Sequence, residues 1–198
     1  MKIHNVEQRS PEWYTLRCGI PTASGFDKII TAKGEPSKQR NKYLYKIVGE
    51  YITKVPEETY QNAAMIRGCE LESEARRFYQ MLTDEEVSEV GFCTNKMQEY
   101  GCSPDGLVGD KGLLEIKCPT LATHVGYLID NIFPAEYFQQ IQGQLFVTKR
   151  EWCDFLSYYP GMKPLVIRIE RDEKFIKALE IELNLFCEKL KEIVNQIS

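Results

Sequence analysis

Residues 103–119 read Ser103-Pro104-Asp105-Gly106-Leu107-Val108-Gly109-Asp110-Lys111-Gly112-Leu113-Leu114-Glu115-Ile116-Lys117-Cys118-Pro119. Two apolar runs flank Gly109-Asp110-Lys111-Gly112, a composition that turns the chain. The spacing predicts two strands folded so that Asp105 returns to Glu115. Glu115 and Lys117 are two positions apart on the second strand and project from one face. Leu114 and Ile116 then point the other way, into a core. Two carboxylates and an ammonium would converge on one spot. Hard divalent cations such as Mg²⁺ take carboxylate and carbonyl oxygens. Such a cation polarises a phosphodiester and helps ionise the attacking water. A neighbouring lysine positions or deprotonates that water, and its charge favours the anionic transition state. The pattern points to a metal-dependent nuclease. A structural ion-pair cluster is the alternative, since surface strands commonly carry Glu-x-Lys pairs.

On the N-terminal side, Ser10-Pro11-Glu12-Trp13 marks a helix start, with Ser10 as cap and Pro11 in the first turn. Gly19 ends that helix, and Thr22 or Ser24 caps the next. A helix is expected at about 38–53. Leu71, Ala75, Phe78, Tyr79 and Leu82 define an apolar stripe on another. Residues 87–118 suggest three strands joined by turns. On the C-terminal side, Pro134 opens a helix running to about Val147. Phe155 to Tyr159 and Leu165 to Ile169 read as strands. Ile176, Leu179, Leu183, Phe186, Leu190, Ile193 and Ile197 form one stripe of a long final helix. This order indicates an α/β or α+β fold in a single domain, 1–198.

The 198 residues carry a net charge of −4, 43% hydrophobic and 27% charged side chains, as in ordinary globular proteins. The acidic balance argues against a protein that coats nucleic acid by bulk charge. Charge is uneven, however: residues 1–60 sum to +3 and 61–198 to −7. Between Lys28 and Lys46 lie Lys28, Lys33, Lys38, Arg40, Lys42 and Lys46 against Glu35 alone. This segment is either a solvated lysine face or a contact for DNA phosphates. Met1 to Ser10 holds no apolar run, and no stretch approaches the roughly 20 apolar residues of a membrane span. A cytoplasmic protein without membrane contact is expected. The seven scattered cysteines include no Cys-x-x-Cys pair, so zinc or iron–sulfur binding is not expected.

Asp105 followed by Glu115-x-Lys117 resembles the signature of the PD-(D/E)xK nuclease superfamily. More specifically, the chain resembles the lambda-exonuclease family of phage-type YqaJ-like recombination nucleases. Four blocks carry the likeness: Trp13 to Ser24, Gly68 to Arg76, Cys102 to Leu107 with Leu114 to Pro119, and Tyr137 to Gln142. The resemblance implies a restriction-endonuclease-like core, a central mixed sheet flanked by helices. It implies that Asp105, Glu115 and the Ile116 backbone carbonyl ligate Mg²⁺, with two ions in the substrate complex and Mn²⁺ able to substitute. Lys117 would activate the water, Glu72 would act on the metal directly or through water, and Gln140 would stand near the site. Arg17, Ser24 and Ser103 match a pocket for a 5′ phosphate. The implied activity is 5′-to-3′ exonuclease digestion of linear double-stranded DNA to mononucleotides, leaving 3′ single-stranded tails for phage-type homologous recombination. The implied assembly is a homotrimeric ring working with a single-strand annealing protein, in a phage or prophage setting. The competing readings are a restriction or junction-resolving endonuclease of the same superfamily and a non-catalytic DNA-end-binding module.

Overall fold

The computed structural model describes residues 1–57 and 63–198. It begins with a strand that the sequence did not announce, β1 (Lys2–His4), whose one apolar residue, Ile3, is exposed. In α1 (Pro11–Arg17) the Ser10 hydroxyl accepts the Trp13 N–H as expected. Such a cap contributes about 0.5–2 kcal/mol. A 3-10 helix, Ala23–Lys28, follows. Thr22 precedes it but does not cap it, because its hydroxyl is engaged with Arg17 and Ser24.

Next come α2 (Arg40–Thr53) and α3 (Ala63–Thr83). The α3 stripe buries Ala75 and Tyr79 completely, while Leu82 is 54% exposed and lies beyond the packed turns. Residues 87–118 hold five short strands rather than three: β2 (Val87–Ser88), β3 (Phe92–Thr94), β4 (Gly101–Cys102), β5 (Gly106–Val108) and β6 (Gly112–Lys117). They divide between two sheets, which apolar alternation alone cannot reveal. The turn between β5 and β6 is the anticipated one, with Gly109 at φ 46°.

After β6 an unanticipated helix appears, α4 (Leu121–Asp130), capped by the Thr120 hydroxyl. Leu121, Val125, Leu128 and Ile129 do fall at helical spacing, but the structure leaves Leu121 and Ile129 exposed and fully buries only His124. His124 donates through Nε2 to the Lys163 carbonyl at 3.0 Å, so its Nδ1 accepts from the Ser157 hydroxyl at 2.7 Å. Pro134 leads into a single 3-10 turn, Ala135–Tyr137, before α5 (Phe138–Thr148). The chain closes with β7 (Trp152–Ser157), β8 (Leu165–Glu170) and α6 (Glu173–Ile197).

The main sheet runs β2-β5-β6-β7-β8, with β6 and β7 parallel and the other neighbours antiparallel; β1-β3-β4 form a smaller antiparallel sheet. This is the expected mixed sheet flanked by helices. A parallel pair needs a crossover, and α4 and α5 supply it. Leu114 and Ile116 pack on the α3 side with Ala75, Tyr79 and Leu156. The other face of β6 is also covered: Leu113 packs with Ile141 and Leu145 of α5. On its far side α5 meets the Ala23–Lys28 helix so closely that a Cβ on Gly143 would stand 2.5 Å from the Phe26 ring. The α6 stripe packs against Tyr43, Leu44 and Ile47 of α2, but Ile197 is 62% exposed and lies past the core.

Candidate active site and phosphate pocket

Strand pairing positions the two central carboxylates. The register Gly106↔Leu114 sets Asp105 at the head of β5, where its N–H donates to the Leu114 carbonyl at 3.1 Å. Its Oδ2 accepts the Ile116 N–H at 2.6 Å. A residue's N–H and C=O face the same edge of a strand, so the Ile116 carbonyl faces the Asp105 edge as well.

Glu115 is only 1% exposed and faces α5. Its Oε1 accepts from Lys117 Nζ at 2.5 Å and Gln140 Nε2 at 2.6 Å; its Oε2 accepts from Gln144 Nε2 at 2.6 Å. Gln140 and Gln144 are one helical turn apart and address one carboxylate from one face of α5. The amide of Gln144 must present its nitrogen here, since its oxygen would face a carboxylate. Its Oε1 is consequently left without a hydrogen-bond partner, alone in this among buried side-chain polar atoms of the described residues. Lys117 extends over the Tyr137 ring, 5.0 Å from its centroid.

Burial, followed by the repulsion of Glu115, pushes the Asp105 carboxyl well above the usual carboxylate range. Burial works to lower the Lys117 pKa, but Glu115 and Asp105 outweigh it and hold the ammonium above its ordinary value. The contrast with Asp154 is informative. That buried carboxylate is fully answered by Nε and Nη2 of Arg168 at 2.8 and 2.9 Å and by the Tyr79 hydroxyl at 2.7 Å. Asp154 is a structural ion pair. Asp105 has no such partner, since Lys117 is paired with Glu115, and the two carboxyl groups repel each other.

A divalent cation fits that deficit. Asp105, Glu115 and the Ile116 carbonyl supply the hard oxygen donors such an ion prefers. They are not a finished cage, for among the described residues no three Asp, Glu, His or Cys side chains converge as a ready metal site. Glu72 in particular is held away by two arginines. Its Oε2 contacts the Arg9 guanidinium and its Oε1 pairs with Arg76 at 3.2 Å. Arg76 in turn donates to the Asp105 backbone carbonyl at 3.0 Å, so Glu72 is linked to the Asp105 main chain through an arginine.

The three residues matched to a phosphate pocket do come together. Arg17 donates to the Ser103 hydroxyl at 3.2 Å and to Thr22 Oγ1 at 3.3 Å, and Thr22 meets Ser24 at 3.3 Å. Trp13 stacks on the guanidinium at 4.1 Å and donates from Nε1 to Ser103 at 2.9 Å. No carboxylate among the described residues lies within ion-pair distance of Arg17, and burial holds its pKa below the ordinary value. A desolvated guanidinium with hydroxyl partners and no counter-ion is suited to an anion. It opens onto a cavity of about 730 Å³ also lined by Ser24, Lys28, Lys42 and Lys46.

Not all of the basic segment remains free to act. Lys28 is paired with Asp27, Arg40 with Glu182, and Lys46 with Glu50 and Glu57. Sequence reasoning missed Gln144, Arg9, Arg76, Thr22 and Trp13. The i, i+4 repeat of Gln140 and Gln144, and of Glu72 and Arg76, was the available signal for two of them.

Residues 12–151 match the YqaJ-like viral recombinase domain. The structure superimposes on the alkaline exonuclease LHK-Exo from Laribacter hongkongensis with a TM-score of 0.85, at 37% identity, covering 95% of this chain and 96% of that one. A structure of LHK-Exo in complex with dAMP matches equally. A phage related exonuclease from Haemophilus somnus shares the fold at TM-score 0.71 and 14% identity, over 93% of this chain and 99% of that one. An uncharacterized protein of Acanthamoeba polyphaga mimivirus is 30% identical over 170 residues, or 79% of this chain; that stretch is about 30% of the viral protein's length. No helix among the described residues is long and apolar enough to cross a membrane.

Proposed function

Because the chain belongs to the YqaJ-like viral recombinase family, we propose that it is a DNA exonuclease that hydrolyses linear double-stranded DNA from its 5′ ends. Mg²⁺ is the proposed cofactor, two ions in the substrate complex, with Mn²⁺ able to replace it. The products are mononucleotides and duplexes with 3′ single-stranded tails, used in phage-type recombination. A homotrimer and a single-strand annealing protein complete the reading. The observation that carries it is the Asp105, Glu115 and Lys117 cluster on paired strands, two mutually repelling carboxyl groups with a single lysine, paired to Glu115.

Asp105, Glu115 and the Ile116 carbonyl would hold the cation, with Glu72 joining directly or through water. Bound there, Mg²⁺ supplies Lewis acidity to the scissile phosphate and lowers the pKa of the attacking water. The residues of the chain do the rest. Gln140 and Gln144 fix the Glu115 carboxylate from α5. The Lys117 ammonium is held near the reacting centre by Glu115, where it orients the nucleophilic water, stabilises charge on the phosphoryl oxygens, and takes the water's proton once its own has been lost. Water attacks phosphorus and the P–O3′ bond breaks. The released nucleotide keeps its 5′ phosphate and gains a 3′ hydroxyl, and the shortened strand carries a new 5′ phosphate. That group is the one the Arg17, Ser24 and Ser103 pocket would bind for the next cycle, which gives the reaction its direction.

The test is digestion in Mg²⁺ of linear duplexes that differ only in 5′ phosphorylation. The expected result is loss of label from the 5′ end, faster with phosphate, and a preference largely abolished by Arg17→Gln. Degradation from the 3′ end, or equal rates on both substrates, refutes the assignment. Rapid cutting of covalently closed circles would establish an endonuclease instead.

A further inference from the structure

Arg9 immediately precedes the cap of α1 and holds a left-handed backbone conformation, φ 69°. Its guanidinium is fastened to Glu72 Oε2, and the Arg9 side chain is 42% exposed against 13% for Glu72. The other arginine on Glu72 is held quite differently. Arg76 is 9% exposed and has three tethers, the Asp105 carbonyl, Glu72 Oε1 and Glu89 at 2.9 Å. Among the described residues Arg9 has Glu72 as its one side-chain partner. Arg9, Glu72, Arg76 and Asp105 line the same cavity of about 460 Å³. Arg76 is therefore a fixed strut, while Arg9 is a long cationic arm anchored by a single ion pair at the mouth of a space wide enough for a phosphate.

We propose that Arg9 and the divalent cation are alternative partners of Glu72. This rests on the reading of the site as a metal-dependent nuclease centre. A doubly charged ion at Oε2 would lie against the Arg9 guanidinium on the same oxygen, so the two cations repel and compete for it. Without metal, Arg9 supplies the positive charge that Glu72 needs. When a cation engages Glu72, the arm is displaced into the cavity, where a DNA phosphate is the available anion. Arg9 is thus a positioning residue, coupling occupancy of the metal site to capture of the DNA backbone.

Two measurements on intact protein test this, with Arg9→Gly, which keeps the positive φ without strain, and Arg9→Lys, which keeps the charge. The first is isothermal titration with Mn²⁺ in the absence of DNA. Removal of a competing, partly exposed ion pair should tighten Mn²⁺ binding by about 2- to 5-fold in Arg9→Gly. The second is duplex binding in Ca²⁺ over a range of salt. Loss of one phosphate contact should lower the slope of log K against log[salt] by about 0.9, with Arg9→Lys retaining the wild-type slope. Unchanged or weaker Mn²⁺ binding by Arg9→Gly overturns the competition, and an unchanged salt slope overturns the phosphate contact. Wild-type protein that binds no Mn²⁺ and digests DNA in EDTA brings down the metal reading itself. Wild-type and Arg9→Gly proteins binding Mn²⁺ alike bring down only the role of Arg9.

Discussion

Replacing Gln144 by Met separates what this residue does for the site from what it does for the fold. The side chain is buried, and its Nε2 donates at 2.6 Å to an equally buried carboxylate. A hydrogen bond to a charged group is worth about 1.5–3 kcal/mol, and a buried polar atom without a partner costs about 1–3 kcal/mol. Gln144 has one of each, since its Oε1 is unpartnered. Met fills a similar volume and has neither amide group. The two losses oppose each other, so the stability of Gln144→Met in EDTA should lie within about 2 kcal/mol of wild type. Glu115, however, keeps only the donors on Oε1 and can rotate. Groups that orient a metal-binding carboxylate typically contribute about 10- to 100-fold in metal affinity or activity, and a loss of that size is expected here. Urea unfolding gives the first quantity and Mn²⁺ titration the second. A loss of more than about 3 kcal/mol with unchanged Mn²⁺ affinity would refute the reasoning and reduce Gln144 to a packing residue.

Two further expectations concern stability. Gly143→Ala should cost about 1–3 kcal/mol in urea unfolding, because its Cβ would stand 2.5 Å from the Phe26 ring; a neutral result would mean that α5 and the Ala23–Lys28 helix part easily. Asp105 gives a pH dependence. Its carboxyl is raised in the folded protein by burial and then by Glu115, so its favourable contribution is complete below the unfolded value of about 3.9 and is lost as pH rises through the raised folded value. In EDTA, wild-type stability should fall over that window more steeply than that of Asp105→Asn, and parallel urea-midpoint curves for the two proteins would count against it.

The central pair of strands was legible because a four-residue turn brings Asp105 and Glu115 together by local geometry alone. Gln140 was named through the family likeness, whereas Gln144 follows from helical periodicity only once Gln140 is known to face a carboxylate. Arg9 carried no signal of its own, since its meaning depends on a contact across 63 positions, and the i, i+4 spacing of Arg76 from Glu72 does not reveal its bond to the Asp105 carbonyl 29 positions away. The same holds for β1, whose three residues are too few to set a pattern and whose pairing with β3 is distant along the chain, the His4 contact to Thr94 spanning 90 positions. The basic segment shows the opposite failure. Its charge was plain, but Glu182, which neutralises Arg40, is 142 positions away.

The two halves of the site reach very different distances along the chain. Asp105, Glu115, Lys117, Gln140 and Gln144 fall within one continuous segment, while the Trp13 and Arg17 contacts to Ser103 close loops of 90 and 86 residues. Long closures cost more entropy, roughly 0.6 kcal/mol for each doubling of loop length, and non-local pairings slow folding. The carboxylate centre should therefore gain protected amides before α1 docks on the small sheet, an order that pulse-labelled hydrogen exchange can read. Earlier protection of α1 would reverse it. On the proposed function, a chain caught midway would already hold its carboxylate centre while lacking the proposed pocket for a strand's first phosphate.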